Sequence, residues 1–79
     1  KKAKTIFSGA RLAETNLSGA RARDADFSDA DLRGVIVKDA DFTGVNFTGA
    51  NLSSADFTGS NLRNANMKST IIAGAVLDH

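Results

Sequence analysis

The sequence predicts an all-β solenoid, and three observations predict it. A five-residue phrase recurs across residues 5–77, without a break from 25 to 66. Its central position is never polar: Phe7, Leu12, Leu17, Ala22, Phe27, Leu32, Val37, Phe42, Phe47, Leu52, Phe57, Leu62, Met67, Ile72 and Leu77. All seven glycines (Gly9, Gly19, Gly34, Gly44, Gly49, Gly59 and Gly74) fall two residues after a centre, and the position two before a centre holds Ala, Thr, Val or Ser throughout.

Geometry turns this period into a shape. An α-helix advances about 100° per residue, so centres five apart rotate by roughly 140° and cannot form an apolar stripe. In an extended chain the small residue and its centre point the same way, but the next small residue has the wrong parity for a straight strand. A bend must therefore follow each centre, where Gly, Asp, Asn and Ser supply turn chemistry. The result is a coil with a filled inside. If four pentads close one coil, residues twenty apart stack and give the uniform columns Phe7/Phe27/Phe47/Met67 and Leu12/Leu32/Leu52/Ile72. Three pentads per coil would give a mixed column, Phe7/Ala22/Val37/Leu52/Met67. The twenty-residue sorting is preferred.

The phrases Ala-Asp-Leu-Arg-Gly, Ala-Asn-Leu-Ser-Ser and Ala-Asp-Phe-Thr-Gly resemble the pentapeptide-repeat proteins over residues 5–77, nearly the whole chain. The resemblance implies a right-handed quadrilateral β-helix of about four coils with five residues per side. The chain departs from the family pattern at Ile6, Ile36, Ile71 and Val76, where Asp or Asn is usual, and at Arg11 and Arg21 in the same column. Ala22 is an undersized centre, and the pattern has stopped at Lys2.

With 79 residues a single domain is expected over 1–79, and stacking of coils relieves the small-core limit of so short a chain. Each buried Leu or Phe centre contributes about 1.5–3 kcal/mol, so burial of all fifteen opposes the ordering entropy without staples. The chain has no Cys, which excludes disulfides and thiolate metal sites. The absence of Pro suits a fold that uses its backbone N–H groups between coils. No apolar run approaches a membrane span, so a soluble protein is expected, in a cytoplasmic or a thylakoid-lumen or periplasm-type compartment. The family resemblance points to cyanobacteria and plastids.

Along the chain, residues 1–4 form a basic lead-in, read as a solvated end whose charge discourages edge pairing. Residues 21–41 are acid-rich, with Asp24, Asp26, Asp29, Asp31, Asp39 and Asp41 against Arg21, Arg23, Arg33 and Lys38. Carboxylates on different faces and corners do not chelate one ion, so these read as turn acceptors and as ladders such as Lys4–Asp24 and Arg21–Asp41. Residues 43–62 are Thr-, Ser- and Asn-rich, as a hydrogen-bonded β surface would be. Twenty-residue stacking places Arg23, Thr43 and Arg63 in one outward column beside Lys1 and Arg21, a candidate face for a protein partner or a phosphate backbone. Near the end, Ile71 and Val76 bring apolar side chains to outward positions and suggest a covered surface, as expected of a fragment or module of a larger protein or of self-association through coil ends. The terminal His79 reads as inert.

No catalytic residue, metal site or cofactor is expected: the hydroxyls lack a neighbouring base, and a filled coil offers no cleft for a small-molecule substrate. All five Phe are committed to the core, which argues against base stacking with nucleic acid. The leading expectation is a structural or protein-interaction module. The alternative, implied by the resemblance alone, is a mimic of duplex DNA that binds a topoisomerase such as gyrase; such a role needs an acidic rod, whereas the net charge here is +1.

Overall fold

A computed structural model describes residues 4–77, so most of the basic lead-in and His79 lie outside the described residues. Backbone pairing settles the stacking. Each β-bridge is parallel and joins residues twenty apart, in four columns: Ile6/Asp26/Asn46/Asn66, Arg11/Asp31/Asn51/Ile71, Asn16/Ile36/Asp56/Val76 and Arg21/Asp41/Asn61. The fifteen-residue alternative is excluded. Pairing is confined to isolated bridge residues, because a corner every fifth residue leaves no room for a long strand.

The pentad 45–49 shows where its five amides go. Val45 N–H closes the corner on the Phe42 carbonyl (3.2 Å), and Asn46 N–H donates down to Ala25 (3.0 Å). Phe47 N–H and Gly49 N–H donate up to the carbonyls of Asn66 (2.8 Å) and Lys68 (3.0 Å). The fifth, Thr48 N–H, bonds the Asn46 side-chain Oδ1 at 3.0 Å. Every donor is used, which is why Asp or Asn stands before the centre: its carboxyl or amide oxygen accepts the one N–H that neither a neighbouring layer nor the corner bond takes. The same bond recurs from Ser18, Ser28, Arg33, Thr43, Ser53, Thr58, Arg63 and Lys68 to the Asp or Asn two residues before each.

Where the chain departs from the pattern, substitutes appear. Ile36 has no acceptor to offer, and Lys38 N–H turns instead to Ser18 Oγ in the layer below, at 3.1 Å. The adjoining corner is also altered. Ala40 N–H donates to Ser60 Oγ at 2.9 Å, and that hydroxyl donates to the Val37 carbonyl, so a side chain from the next layer is inserted into the bond that closes other corners.

The corner residues lie in left-handed backbone. Alongside the glycines, Glu14, Asp24, Asp29, Asp39, Ser54, Asn64 and Ser69 have φ between 55° and 64°. Stacking sorts them into alternating series: Gly9/Asp29/Gly49/Ser69, Glu14/Gly34/Ser54/Gly74, Gly19/Asp39/Gly59 and Asp24/Gly44/Asn64. The cause is crowding. A Cβ on Gly44 would lie 2.1 Å from Asp24 Oδ1, and on Gly49 or Gly59 it would lie 2.3 Å from the Oδ1 of Asp29 or Asp39. A corner side chain occupies the space above it, and Gly leaves that space open.

The core runs from Ala25 to Phe57, with Phe27, Leu32, Val37, Phe42, Phe47, Leu52 and Phe57 at most 2 % exposed. Phe7 stacks on Phe27 with ring centroids 4.8 Å apart and planes 10° apart, and Phe47 follows at 6.0 Å. Phe57 meets Phe42 and Phe47 edge-on. Among the described residues Ser60 is the one buried polar residue, its hydroxyl satisfied as above. The expectation that all fifteen centres are buried fails at both ends of the described residues: Phe7 is 38 % and Ile72 48 % exposed, because no described residue packs on their outer side.

Candidate functional site

Where Asp or Asn precedes a centre and Ser or Thr follows it in the middle layers, the two form a small clamp. Asp41 Oδ1 accepts from Thr43 N–H (3.1 Å) and from the Thr43 hydroxyl (2.6 Å). The Arg23 guanidinium donates from Nε (3.2 Å) and Nη2 (3.0 Å) to the remaining Oδ2. The Thr43 hydroxyl and amide, then Arg23, hold the Asp41 carboxyl down at about 2, against an ordinary 3.8. Hydrogen bonds from Ser28 and Thr58 lower Asp26 and Asp56 in the same way, and those from Arg33 lower Asp31. Asp31 and Arg33 also form an ion pair at 2.8 Å across their own centre, and Lys38 approaches Asp56 to 3.9 Å.

These pairs correct the expected ladders. Arg21 lies directly below Asp41 as its bridge partner, but Arg23 takes the carboxylate. Thr43 holds Oδ1, which leaves Oδ2 to the diagonal neighbour. Lys4 acts on Asp26, while the Asp24 carboxylate lies beneath Gly44.

The candidate residues fall into separate places. Arg21, Arg23 and Arg63 share the column face of Asp41 and Asn61, with Thr43 between Arg23 and Arg63; the backbone bonds from Asp24 to Thr43 and from Gly44 to Arg63 fix that order. With Arg23 bound to Asp41, Arg21 and Arg63 are the exposed cations of this face that carry no salt bridge among the described residues. Lys4, Thr5, Arg21, Arg23, Asp24, Asp41 and Gly44 line a shallow depression at its lower end. Ile71, 52 % exposed, lies in the second column and Val76, 45 % exposed, in the third, so neither joins the arginine face. They flank the last corner, with Ile72 between them. Among the described residues no cluster of His, Cys, Asp or Glu could hold a metal ion, and no helix is long and apolar enough to cross a membrane.

Sequence reasoning missed the clamp as a unit. Its signal was present: Asp or Asn precedes Ser or Thr by two residues at 16/18, 26/28, 41/43, 46/48, 51/53 and 56/58.

Comparison with known proteins agrees with this geometry. The structure of HetL, a pentapeptide repeat protein involved in heterocyst differentiation regulation from the cyanobacterium Nostoc sp. strain PCC 7120, is similar with a TM-score of 0.56 at 23% identity, over 91% of this chain and 44% of that one. Rfr23 from the cyanobacterium Cyanothece 51142 gives a TM-score of 0.48 at 24% identity, over 84% of this chain and 58% of that one. A pentapeptide repeat protein from the Arabidopsis thaliana thylakoid lumen gives 0.45 at 32% identity, over 90% and 60%. The chain thus spans less than two thirds of the length of each of these structures. No curated protein matches it. The model of the Pentapeptide repeats family matches residues 7–39 and 40–78 in eight copies, so this chain, with its column of aromatic and aliphatic centres and its Asp/Asn clamps, belongs to the pentapeptide repeat family.

Proposed function

We propose that the chain is a non-enzymatic, rigid scaffold: one domain over 1–79, built as a right-handed quadrilateral tube of about four coils, that presents its arginine face to an acidic protein partner. The observation that carries this reading is the distribution of satisfied groups. The interior is filled by the centres, and no described buried side-chain polar atom lacks a partner. Most outward polar side chains of the middle layers bond each other, which leaves Arg21 and Arg63 as cations without a salt-bridge partner among the described residues of one face. Two cations held on a rigid face lose little entropy when they meet carboxylates, and steer an acidic partner at low salt.

The test is R21E combined with R63E. A partner recovered by cross-linking from the native source and lost on this double change, with the unfolding temperature unaltered, supports the reading. Retention of every partner by the double variant removes the arginine face from it.

The alternative, a duplex-mimicking binder of a topoisomerase such as gyrase, asks for an unbroken acidic surface. Here the carboxylates between Asp24 and Asp56 are flanked by Lys4, Arg11, Arg21 and Arg23 below and by Arg63 and Lys68 above. Absence of inhibition in a supercoiling assay at micromolar protein would remove this alternative.

A further inference from the structure

A basic residue follows the centre at Arg23, Arg33, Lys38, Arg63 and Lys68, and the structure treats these cations unequally. Arg33 turns back on the Asp31 of its own pentad: its Nε donates to Oδ1 and its Nη2 to Oδ2, each at 2.8 Å. Arg23 finds Asp41, and Lys38 comes within 3.9 Å of Asp56. Arg63 occupies the position in its pentad that Arg33 occupies in its own, but residue 61 is Asn where residue 31 is Asp. The backbone half of the arrangement is kept. Arg63 N–H donates to Asn61 Oδ1 at 3.0 Å, as Arg33 N–H does to Asp31 Oδ1 at 3.3 Å. The side-chain half is lost, because with Oδ1 so placed the amide Nδ2 stands where Asp31 holds Oδ2, and an N–H group offers a guanidinium nothing to bond. The layer below supplies no substitute, since Thr43 and Arg23 take both oxygens of Asp41.

From this comparison we infer that Asn61 and Arg63 form a receptor for one carboxylate supplied from outside, by an acidic segment of a protein partner. The inference rests on the arginine-face reading and names where on that face the partner is held. The external carboxylate takes the place that Asp31 fills for Arg33. It accepts from the Arg63 guanidinium and from Asn61 Nδ2, a donor that bonds nothing among the described residues. Both groups border a shallow depression lined by Gly59, Ser60, Asn61 and Arg63, which gives the segment room to approach. Asn61 is already pinned through its Oδ1, so little freedom is lost when its Nδ2 binds. Lys68 follows Asn66 in the same way one pentad on, with its N–H on Asn66 Oδ1 at 3.0 Å. A segment with successive carboxylates therefore meets a second donor pair around the corner at Asn64. A carboxylate is favoured over a phosphate because the chain's own solution at Arg33 is a carboxylate, held as a planar bidentate pair.

The experiment titrates the full chain with an oligoglutamate peptide and follows the arginine Nε–H resonances by NMR. Salt is kept near about 0.1 M, where exposed charges more than about 10 Å apart are largely screened. The Arg63 resonance is expected to move toward that of Arg33, and Arg33 to stay in place. The informative variant is N61D, which keeps the Arg63 cation and supplies the missing carboxylate from within, as Asp31 does. Affinity is expected to fall about tenfold in N61D, as far as in R63E. N51D adds the same charge on the opposite face and is expected to change affinity by less than about twofold. The reverse exchange, D31N, frees Arg33 and is expected to add a second binding equivalent. Asp and Asn hold the same backbone bond at these positions, and thermal unfolding checks that every variant is folded. Weakening by R63E without weakening by N61D overturns the receptor and leaves the arginine-face reading standing. No weakening by R63E, nor by R21E combined with it, overturns both. A single-stranded DNA oligonucleotide that binds more tightly than the peptide, and as tightly to N61D, overturns the carboxylate as the ligand.

Discussion

The middle layers and the end layers carry the same repeat, yet they differ in what the repeat achieves. Phe27 and Phe47 are sealed, while Phe7, in the same column and stacked on Phe27, is 38 % exposed. Leu32 and Leu52 are sealed, while Ile72 above them is 48 % exposed. A pentad is thus half a structure: its centre, its carbonyls and three of its five amides are completed by the layers on either side. Stability is accordingly a property of neighbours, as in other linear repeats, and is lowest where a neighbour is missing.

The sharpest way to break this comparison is to truncate a centre in each region. Phe47→Ala is expected to cost about 3–5 kcal/mol, because it leaves a cavity within a sealed aromatic column. Phe7→Ala removes a ring already part-solvated and is expected to cost roughly half as much or less. Chemical denaturation of both variants checks this, and equal costs would mean that the end layer is covered.

Corner glycines come next. Gly9→Ala meets open space and costs only the left-handed strain, about 1–2 kcal/mol. Gly44→Ala must in addition drive the Asp24 carboxylate off its corner, so a larger loss is expected there. Adding Asp24→Gly to Gly44→Ala is expected to restore the difference, and the coupling in a double-mutant cycle measures it.

Acid sharpens the role of the clamps. The folded carboxyls of Asp26, Asp31, Asp41 and Asp56 lie below their ordinary value of 3.8. Their contribution is therefore present above about pH 4 and is lost as pH falls toward about 2, where Asp41 takes up its proton. Asn serves the same clamp at Asn46 and Asn51, so replacing these four Asp by Asn is expected to preserve the fold at neutral pH and to flatten the acid limb of a stability–pH curve.

Smaller effects are expected where a substitute bond exists. Ser60→Ala removes the inserted hydroxyl but leaves Ala40 N–H free to close on the Val37 carbonyl, as other corners do, so the cost is expected to stay near or below about 1 kcal/mol. Thr48→Ala loses one part-exposed hydroxyl bond to Asn46 and is expected to cost the least, within about 1 kcal/mol.

Much of the fold was legible because a strict period leaves few geometries. The column of centres excludes a helix by arithmetic, and the uniform twenty-residue columns anticipated the bridges Phe47's neighbours form. The candidate surface was legible only in part. Which columns Arg21, Arg23 and Arg63 occupy followed from the period, but Arg23's capture by Asp41 did not, because it depends on Thr43 having already claimed the other carboxylate oxygen. Nor was it legible that Ile71 and Val76 lie away from the arginines, since that requires the four columns to be placed around an axis.

By itself the sequence determined the unit: apolar centre, small partner, turn residue at the corner, polar residues outward. These are local preferences of side chains and backbone, and they read along the chain. The tertiary structure alone decided what each unit leaves for the next, namely which amides find a carbonyl, why a corner Asp is followed by Gly twenty residues on, and which centres stay wet. Those outcomes depend on atoms that meet across layers, where distance along the chain no longer measures distance in space.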